Sequence, residues 1–315
     1  MKIIASTGRE EIAMVYIAEM SDGNLVECVE SLQPPLPREQ KWVLLVSTMY
    51  GCPVGCLMCD AGGYYKGKPG KEEIFAQIDF LVKKRFPDCY IPSKQWKIQF
   101  ARMGEPALNP AVLEVLDELP QRYLAPGLMP SLSTIAPRGK EAFFDRLLEI
   151  KQTKYPNGRF QFQFSLHTTD PARRDELIPI KKWDFAEMAA FGARFYHPGD
   201  RKVTLNFALA HGMPLDPGVL RSYFDPSIFL VKITPLNPTY RAREKGLSSY
   251  IEPYNETSTT PLVEKLSADG YQVIVSIGEL EENLIGSNCG QYIRRHLSAG
   301  DPIEDGYTYC LAEYA

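Results

Sequence analysis

The sequence predicts an α/β protein whose main part is a partial, open (β/α)6 barrel of the TIM type. Candidate strands and helices alternate six times, and serial βα units form parallel sheets with right-handed crossovers. Six units are too few to close an eight-stranded barrel. The 315 residues, 44% of them hydrophobic, can bury one large core. We expect an N-terminal β-hairpin extension with a linker, the partial barrel, and a C-terminal extension with a strand and a Cys-bearing segment, at residues 1–40, 41–270 and 271–315.

The N-terminal region has the pattern of a hairpin. Apolar and polar residues alternate at 12–17 and 25–29, and Ser-Asp-Gly-Asn at 21–24 has the composition of a turn. The proline-rich stretch 33–37 forms a stiff linker. The apolar run 42–47 predicts a fully buried strand, which is the first of the barrel.

The barrel region continues with alternating elements. In the helix predicted at 71–85, Ile74, Ile78 and Leu81 share one face, and Asn109 with Pro110 has the composition of a helix start. The other strands are predicted at 97–101, 132–135, 159–166, 203–210, 228–236 and 271–277. The other helices are predicted at 109–119, 141–151, 186–195, from 216 onward, and at 261–266. An active site is expected where the strands end, at their carboxyl side.

The densest chemical motif follows the first barrel strand. Cys52, Cys56 and Cys59 have a CxxxCxxC spacing that brings three thiols to one side of a short loop. Three thiolates are one short of the four-Cys ligation usual for an iron–sulfur cluster, so one iron is left open to another ligand. The alternatives are a zinc knuckle or three buried cysteines, but a structural zinc site needs four ligands and the sequence has no second CxxC pair.

The motif resembles the signature of the radical S-adenosylmethionine (SAM) superfamily. The resemblance implies a [4Fe-4S] cluster held by Cys52, Cys56 and Cys59, with SAM on the open iron through its amino and carboxylate groups. It implies that the cluster reduces SAM to a 5′-deoxyadenosyl radical. An electron donor such as flavodoxin or ferredoxin is then required as a partner.

Further motifs narrow the resemblance. They run in order from about residue 25 to about residue 292 and are similar to those of the ribosomal RNA adenosine methyltransferases acting on carbon 2, and of their antibiotic-resistance relatives acting on carbon 8. One of these motifs alone would be weak evidence for the family, but six motifs in the same order make the resemblance stronger. They read MGEP at 103–106, LST at 132–134, SLH at 165–167, RDELIP at 174–179, PLNP at 235–238 and NCGQ at 288–291.

This narrower resemblance implies roles for single residues. Glu105 can accept hydrogen bonds from the SAM ammonium, and Gly104 lets the backbone approach the ligand closely. Short polar side chains at strand ends suit the ribose, the carboxylate and the adenine edge, although each alone is more commonly a turn or cap residue. These are Ser133, Ser165, His167 and Asn237.

The resemblance also implies two catalytic residues. Cys289 matches the cysteine that takes a methyl group from one SAM and then loses a hydrogen atom from that S-methyl group to the radical from a second SAM. A thiolate is a strong nucleophile, and sulfur stabilises an adjacent carbon radical. Glu27 is the nearest match to a proton-accepting glutamate. The alternative for Cys289 is a buried structural cysteine.

Two departures from that family matter. Leu45 stands where the family has a cysteine that releases the product, and Cys28 is the alternative thiol on the predicted hairpin. The chain also begins almost at the hairpin, without the helical accessory domain of the RNA enzymes. Basic residues remain at 66–68, 241–243 and 294–295, where each group could equally be an ordinary solvated face. RNA binding is therefore an open question at this stage.

These observations predict an enzyme that methylates an unactivated sp² carbon of a nucleobase or of a smaller aromatic or peptide substrate. One alternative is radical SAM chemistry without methylation, with Cys289 in another role. Another is a noncatalytic zinc or RNA-binding protein. The formal charge of −4 argues against tight nonspecific phosphate binding. With no signal peptide or membrane-spanning run in the sequence, we expect a cytoplasmic protein with reduced thiols and no membrane partner.

Overall fold

The computed structural model describes residues 1–252, 259–278, 280–288, 291–293, 303 and 306–314. The strands in these residues are β1 (Lys2–Arg9), β2 (Ala13–Glu19), β3 (Leu25–Ser31), β4 (Lys41–Val46), β5 (Tyr50–Gly51), β6 (Tyr65–Gly67), β7 (Gln95–Phe100), β8 (Leu128–Thr134), β9 (Gln161–Ser165), β10 (Val203–Leu209), β11 (Phe229–Pro235), β12 (Val273–Val275) and β13 (Ala312–Glu313). The helices are α1 (Lys71–Arg85), α2 (Ala111–Arg122), α3 (Glu141–Lys154), α4 (Pro171–Leu177), α5 (Phe185–Phe195), α6 (Pro217–Tyr223), α7 (Tyr240–Glu244), α8 (Thr260–Ala268) and α9 (Leu280–Ile285), with a 3-10 turn at Pro106–Leu108.

The main sheet joins the N-terminal strands to the barrel strands. Its order is β12-β11-β10-β9-β8-β7-β4-β3-β2-β1-β13. From β4 to β12 the neighbours pair in parallel, and β3 joins them through an antiparallel register in which Val29 faces Leu45. Within the described residues the two outermost strands do not pair with each other, so the barrel is open. The predicted fold class is confirmed.

The two faces of the barrel sheet differ in polarity, as β9 illustrates. Phe162 and Phe164 are buried and pack toward the helices, with Phe162 5.5 Å from Phe191 of α5 between ring centroids. Gln161 and Gln163 alternate with them and are only half-buried on the opposite face. The helices therefore cover an apolar face, while the inner face of the barrel is polar.

Several predicted elements agree closely with the structure, and others, including β1 and α4, were missed. Helix α1 has the predicted bounds, and the Asn109 side chain accepts a hydrogen bond from the Ala111 amide at 3.1 Å where α2 begins. Strand β1 adds a third antiparallel strand to the predicted hairpin. Helix α4 begins at Asp170-Pro171, the same pattern that had indicated α6. Among the described helices, none is both long enough and apolar enough to cross a membrane.

Candidate active site

The three predicted cluster cysteines lie on a loop closed at its base by β5 and β6. The Cys52 amide donates to the Tyr64 carbonyl at 3.1 Å, and the Cys59 amide donates to the Cys56 carbonyl at 3.2 Å. A Cβ at Gly51, where φ is +79°, would lie 2.1 Å from the Tyr64 carbonyl oxygen, so glycine is required for this closure. All three cysteines are half-buried. The structure therefore brings the three predicted ligands onto one folded loop.

The backbone of this cluster loop is held by residues that follow β11. The Arg241 guanidinium donates to the carbonyls of Cys56 and Gly55 at 3.2 and 3.1 Å. The Thr239 hydroxyl donates to the Met58 carbonyl at 2.8 Å. In the sequence Arg241 stood out only as part of a basic group, whereas in the structure its side chain contacts the cysteine loop.

Asp60 provides the reciprocal contact from the cluster loop and was not singled out in the sequence. Its buried carboxylate accepts from the amides of Tyr240 and Arg241 at 3.1 and 2.9 Å, at the start of α7. The hydroxyl of Tyr307, near the end of the chain, lies 3.4 Å from the same carboxylate. The sequence signal that could have identified Asp60 is its position as an acidic residue directly after Cys59. These contacts fix the cluster loop to the carboxyl end of β11.

The cysteine environment fits metal ligation. Burial, and then the neighbouring Cys59, raise the pKa of Cys52 to about 12, and the same causes raise the pKa of Cys56 well above its ordinary value. Such thiols gain most from a cation that stabilises their thiolate form. In the described part of the chain no three His, Cys, Asp or Glu side chains surround a single metal position. Independently of that result, three cysteines on one folded loop are a donor set for a cluster, in which each thiolate binds a different iron.

Glu105 is buried at the turn after β7. One carboxylate oxygen accepts from the Ala107 amide at 3.0 Å and the Thr134 hydroxyl at 2.5 Å, and the other accepts from the Ile135 amide at 2.9 Å. Burial raises the pKa of Glu105 to about 7, although these three donors oppose the rise. A ligand ammonium placed beside this carboxylate would restore its charged form.

Glycine is required at position 104 because of a close contact within the protein. Its φ is +100°, and a Cβ there would lie 2.5 Å from the Cβ of Met49. The predicted reason for this glycine was close approach of a ligand. In the structure the required space is occupied by Met49, in the segment that leads into the cluster loop, so packing within the protein is sufficient to require glycine.

The other predicted SAM-contacting residues lie at or just beyond the ends of β8, β9 and β11. Ser133 is the penultimate residue of β8 and Ser165 the last residue of β9. Ser165 is in register with Asn206 of β10, and Asn237 follows β11 by two residues. The predicted set is thus distributed along the carboxyl edge of the parallel sheet, with half-buried side chains.

His167 has an unusual conformation for a non-glycine residue. Its φ is +67°, and its Nδ1 accepts from the Ala208 amide at 3.1 Å. Burial, with a smaller effect of Arg174, lowers the pKa of His167 to about 4. The ring is therefore neutral at pH 7 and carries its proton on Nε2. It can offer that N–H to a ligand without adding charge.

Glu27 and Arg102 form a buried ion pair against the C-terminal region. Arg102 Nε lies 3.1 Å from the Glu27 carboxylate, and Arg102 Nη2 contacts the same oxygen. The guanidinium also donates to the carbonyls of Gly286 and Ser287, both at 3.0 Å. The second Glu27 oxygen accepts from the Ile293 amide at 2.7 Å. Arg102 was not among the predicted site residues, although a charged residue directly after a predicted buried strand was a signal.

Cys289 lies outside the described residues, so its predicted position is not addressed by the structure. Leu45 packs against the apolar cluster that contains Val29, Met103, Tyr292 and Ile293. Cys28 lies elsewhere: it is fully buried in the core on the helix-facing side of the sheet, next to Tyr16. Alternation along β3 therefore separates Cys28 from the face that carries Glu27 and Val29, and Cys28 does not replace a thiol at position 45.

Curated proteins similar in sequence to this chain are named as RNA methyltransferases. The chain is 29% identical over 214 residues to the probable dual-specificity RNA methyltransferase RlmN of Desulfitobacterium hafniense, covering 65% of this chain and 57% of that protein. It is 24% identical over 292 residues to the protein of the same name from Petrotoga mobilis, covering 90% of this chain and 75% of that protein. The chain thus spans little more than half the length of the first of these relatives. No family model matches the chain.

A solved structure shares the fold. It is a radical SAM methyltransferase from Sphaerobacter thermophilus, with a TM-score of 0.68 and 20% identity, covering 88% of this chain and 78% of that one. In sequence the chain is similar to the RlmN-type RNA methyltransferases, and it shares the fold of the Sphaerobacter thermophilus radical SAM methyltransferase.

Proposed function

We propose that this protein is a radical SAM methyltransferase that transfers a methyl group to an unactivated sp² carbon through an S-methylcysteine at Cys289. The observation that carries the proposal is the folded CxxxCxxC loop fixed at the carboxyl end of the parallel sheet by Arg241 and Thr239. The similarity to proteins named as RNA methyltransferases supports methyl transfer in particular.

In this proposal the cofactors are held by residues of the carboxyl edge. Cys52, Cys56 and Cys59 ligate a [4Fe-4S] cluster, and Glu105 binds the SAM ammonium. The neutral His167 and the polar strand-end residues contact the rest of SAM, namely Ser133, Ser165 and Asn237. When bound, the cluster and SAM supply an electron, a methyl group and a hydrogen-abstracting radical.

The protein itself contributes position and a nucleophile. Cys289 accepts the methyl group on its sulfur and presents it to the substrate carbon. The Arg241 and Asp60 contacts hold the cluster loop at the carboxyl end of β11. A cytoplasmic setting with an electron donor such as flavodoxin or ferredoxin completes the proposal. For Glu27, the proton-acceptor role stays a prediction.

RNA is the substrate class that the relatives' names favour. Leu45 in place of the releasing cysteine favours a second candidate, in which the chain keeps the cluster and SAM but performs non-methylating radical chemistry on a small molecule or peptide. The two candidates differ in whether Cys289 carries a methyl group.

The proposal is tested by anaerobic incubation of the reconstituted protein with SAM labelled in its methyl group, with total RNA and a small-molecule extract as separate substrate pools. We expect the label on Cys289 and on a nucleoside of the RNA pool, detected by mass spectrometry of peptides and of digested nucleosides. If label is found only in the small-molecule extract, the substrate is a smaller molecule and not RNA. SAM cleavage without any transferred label would favour the second candidate.

Substitution Glu105→Gln should weaken SAM binding by about 1.5 to 3 kcal/mol, the range for a hydrogen bond to a charged group. Because the pKa of Glu105 is raised to about 7, the carboxyl group is largely neutral at lower pH. Wild-type affinity for SAM should therefore rise as the pH increases through about 7, and the variant should lose that dependence. Equilibrium binding to the reconstituted protein from pH 6 to 8 measures both effects. Equal affinity of the two proteins would place the ammonium elsewhere.

A further inference from the structure

The Glu27–Arg102 pair contacts the C-terminal region on both sides of the NCGQ motif. Arg102 holds the carbonyls of Gly286 and Ser287, which precede the motif. Glu27 holds the amide of Ile293, which follows it. Both charged side chains are essentially inaccessible to solvent, at 0% and 1% exposure. One ion pair thus fixes two points of the chain that flank Cys289.

The same pair is connected to the cofactor side of the site. Arg102 is followed by Met103, whose carbonyl accepts from the amides of Thr48 and Met49 at 2.8 and 3.1 Å, just before the cluster loop. Glu105 is only three residues beyond Arg102. The short segment 102–105 therefore links the flanks of the NCGQ motif, the base of the cluster loop and the predicted ammonium site.

The contacts of Glu27 suit a carboxylate whose role is to accept hydrogen bonds from the protein itself. Its two oxygens receive Arg102 and the Ile293 amide, and its side chain is completely buried. Burial raises the pKa of Glu27 above its ordinary value, Arg102 and the Ile293 amide oppose the rise, and the charge of Asp60 adds to it. Removing one member of a buried pair leaves the other charge uncompensated, so such a pair strongly constrains the elements it joins.

We propose that Glu27 and Arg102 act as a positioning clamp that holds the described residues on either side of Cys289, namely Gly286, Ser287 and Ile293, against β3, and that Glu27 does so by accepting hydrogen bonds, without taking a proton from substrate. The proposal rests on the methyl-carrier role proposed for Cys289. It assigns a function to Arg102 and is an alternative to the proton-acceptor role predicted for Glu27, from which the test below separates it.

The test compares Glu27→Ala, Glu27→Gln and Arg102→Met in the full-length protein. The matched control is Glu30→Gln: Glu30 lies on the same strand but on its opposite face, is 4% exposed, and pairs with Arg85 at 2.6 Å. Two properties are measured. They are hydrogen–deuterium exchange of the peptide containing Ile293, before and after cluster reconstitution, and methylation of Cys289 from labelled SAM relative to iron content.

For Glu27→Ala and Arg102→Met we expect exchange of that peptide to be faster by about tenfold or more, and Cys289 methylation to fall by a similar factor, because a buried charge is left unpaired. Glu27→Gln keeps one acceptor oxygen for Ile293 or Arg102 but removes the charge that compensates Arg102, so both properties should lie between those of wild type and of Glu27→Ala. The control should stay within about threefold of wild type. Thermal unfolding identifies any variant that fails to fold. If Glu27→Ala or Arg102→Met fails to fold, Glu27→Gln, which preserves the shape of the side chain, provides the comparison with wild type.

Two results would overturn the clamp. One is unchanged exchange in folded Glu27→Ala and Arg102→Met. The other is a Glu27→Gln variant that methylates Cys289 normally but forms no more released product than Glu27→Ala, which is the behaviour of a lost proton acceptor. If wild-type Cys289 is never methylated, the proposed function fails, while the exchange data still decide whether the clamp exists.

Discussion

Replacing Cys52, Cys56 or Cys59 with Ala should abolish the reductive cleavage of SAM and reduce bound iron, because each thiol is expected to ligate a different iron of the cluster. No other three cysteines in the sequence share a loop. The raised pKa values of Cys52 and Cys56 mean that the unmetallated thiols are neutral at pH 7. Iron and sulfide content and 5′-deoxyadenosine formation, measured after anaerobic reconstitution, test the expectation.

Cys89→Ala is the matched control for the cluster variants. Cys89 is also half-buried, but it lies between α1 and β7, near the amino ends of the barrel strands. Its replacement should leave iron content and SAM cleavage unchanged. Full iron loading in a variant lacking all three loop cysteines would contradict the cluster assignment.

The fold was largely predictable because it depends on local periodicity. Helix α1 has a continuous apolar face, and β9 alternates phenylalanine with polar residues, so pattern alone located both. Helix α4 was missed because it has only seven residues, too few for its periodicity to be distinctive. Its Asp170 cap was a sufficient but overlooked signal.

The site was predictable only where a motif is contiguous. The cluster loop lies within one short stretch, whereas its support by Arg241 joins residues 185 positions apart. The Arg102 contact with Ser287 likewise spans 185 positions. No local pattern specifies such pairs, because they depend on how the strand ends and the C-terminal region come together. The same reason explains why Cys28 was considered as a substitute thiol: the two faces of β3 are assigned only by its pairing with β4.

Cys289 should carry a methyl group in protein purified from cells or incubated with SAM, and Cys289→Ala should remove methyl transfer completely. The cluster variants should also lose the modification if displacement takes place at cluster-bound SAM. Because Leu45 stands where the resemblance places a releasing thiol, the wild-type protein should accumulate a covalent adduct between Cys289 and its substrate. Mass spectrometry of the peptide containing Asn288 measures both the methyl group and the adduct.

Leu45→Cys extends this test, since Leu45 packs in the apolar cluster with Tyr292 and Ile293, which follow Cys289 in the chain. A thiol at that position should shorten the lifetime of the adduct and increase released product. Leu44→Cys is the matched control, because Leu44 is the neighbouring residue of β4 but is buried in the helix-facing core. Equal product release by the two variants would contradict a role for position 45. An unmodified Cys289 in protein that cleaves SAM would exclude the methyl-carrier role and favour non-methylating radical chemistry.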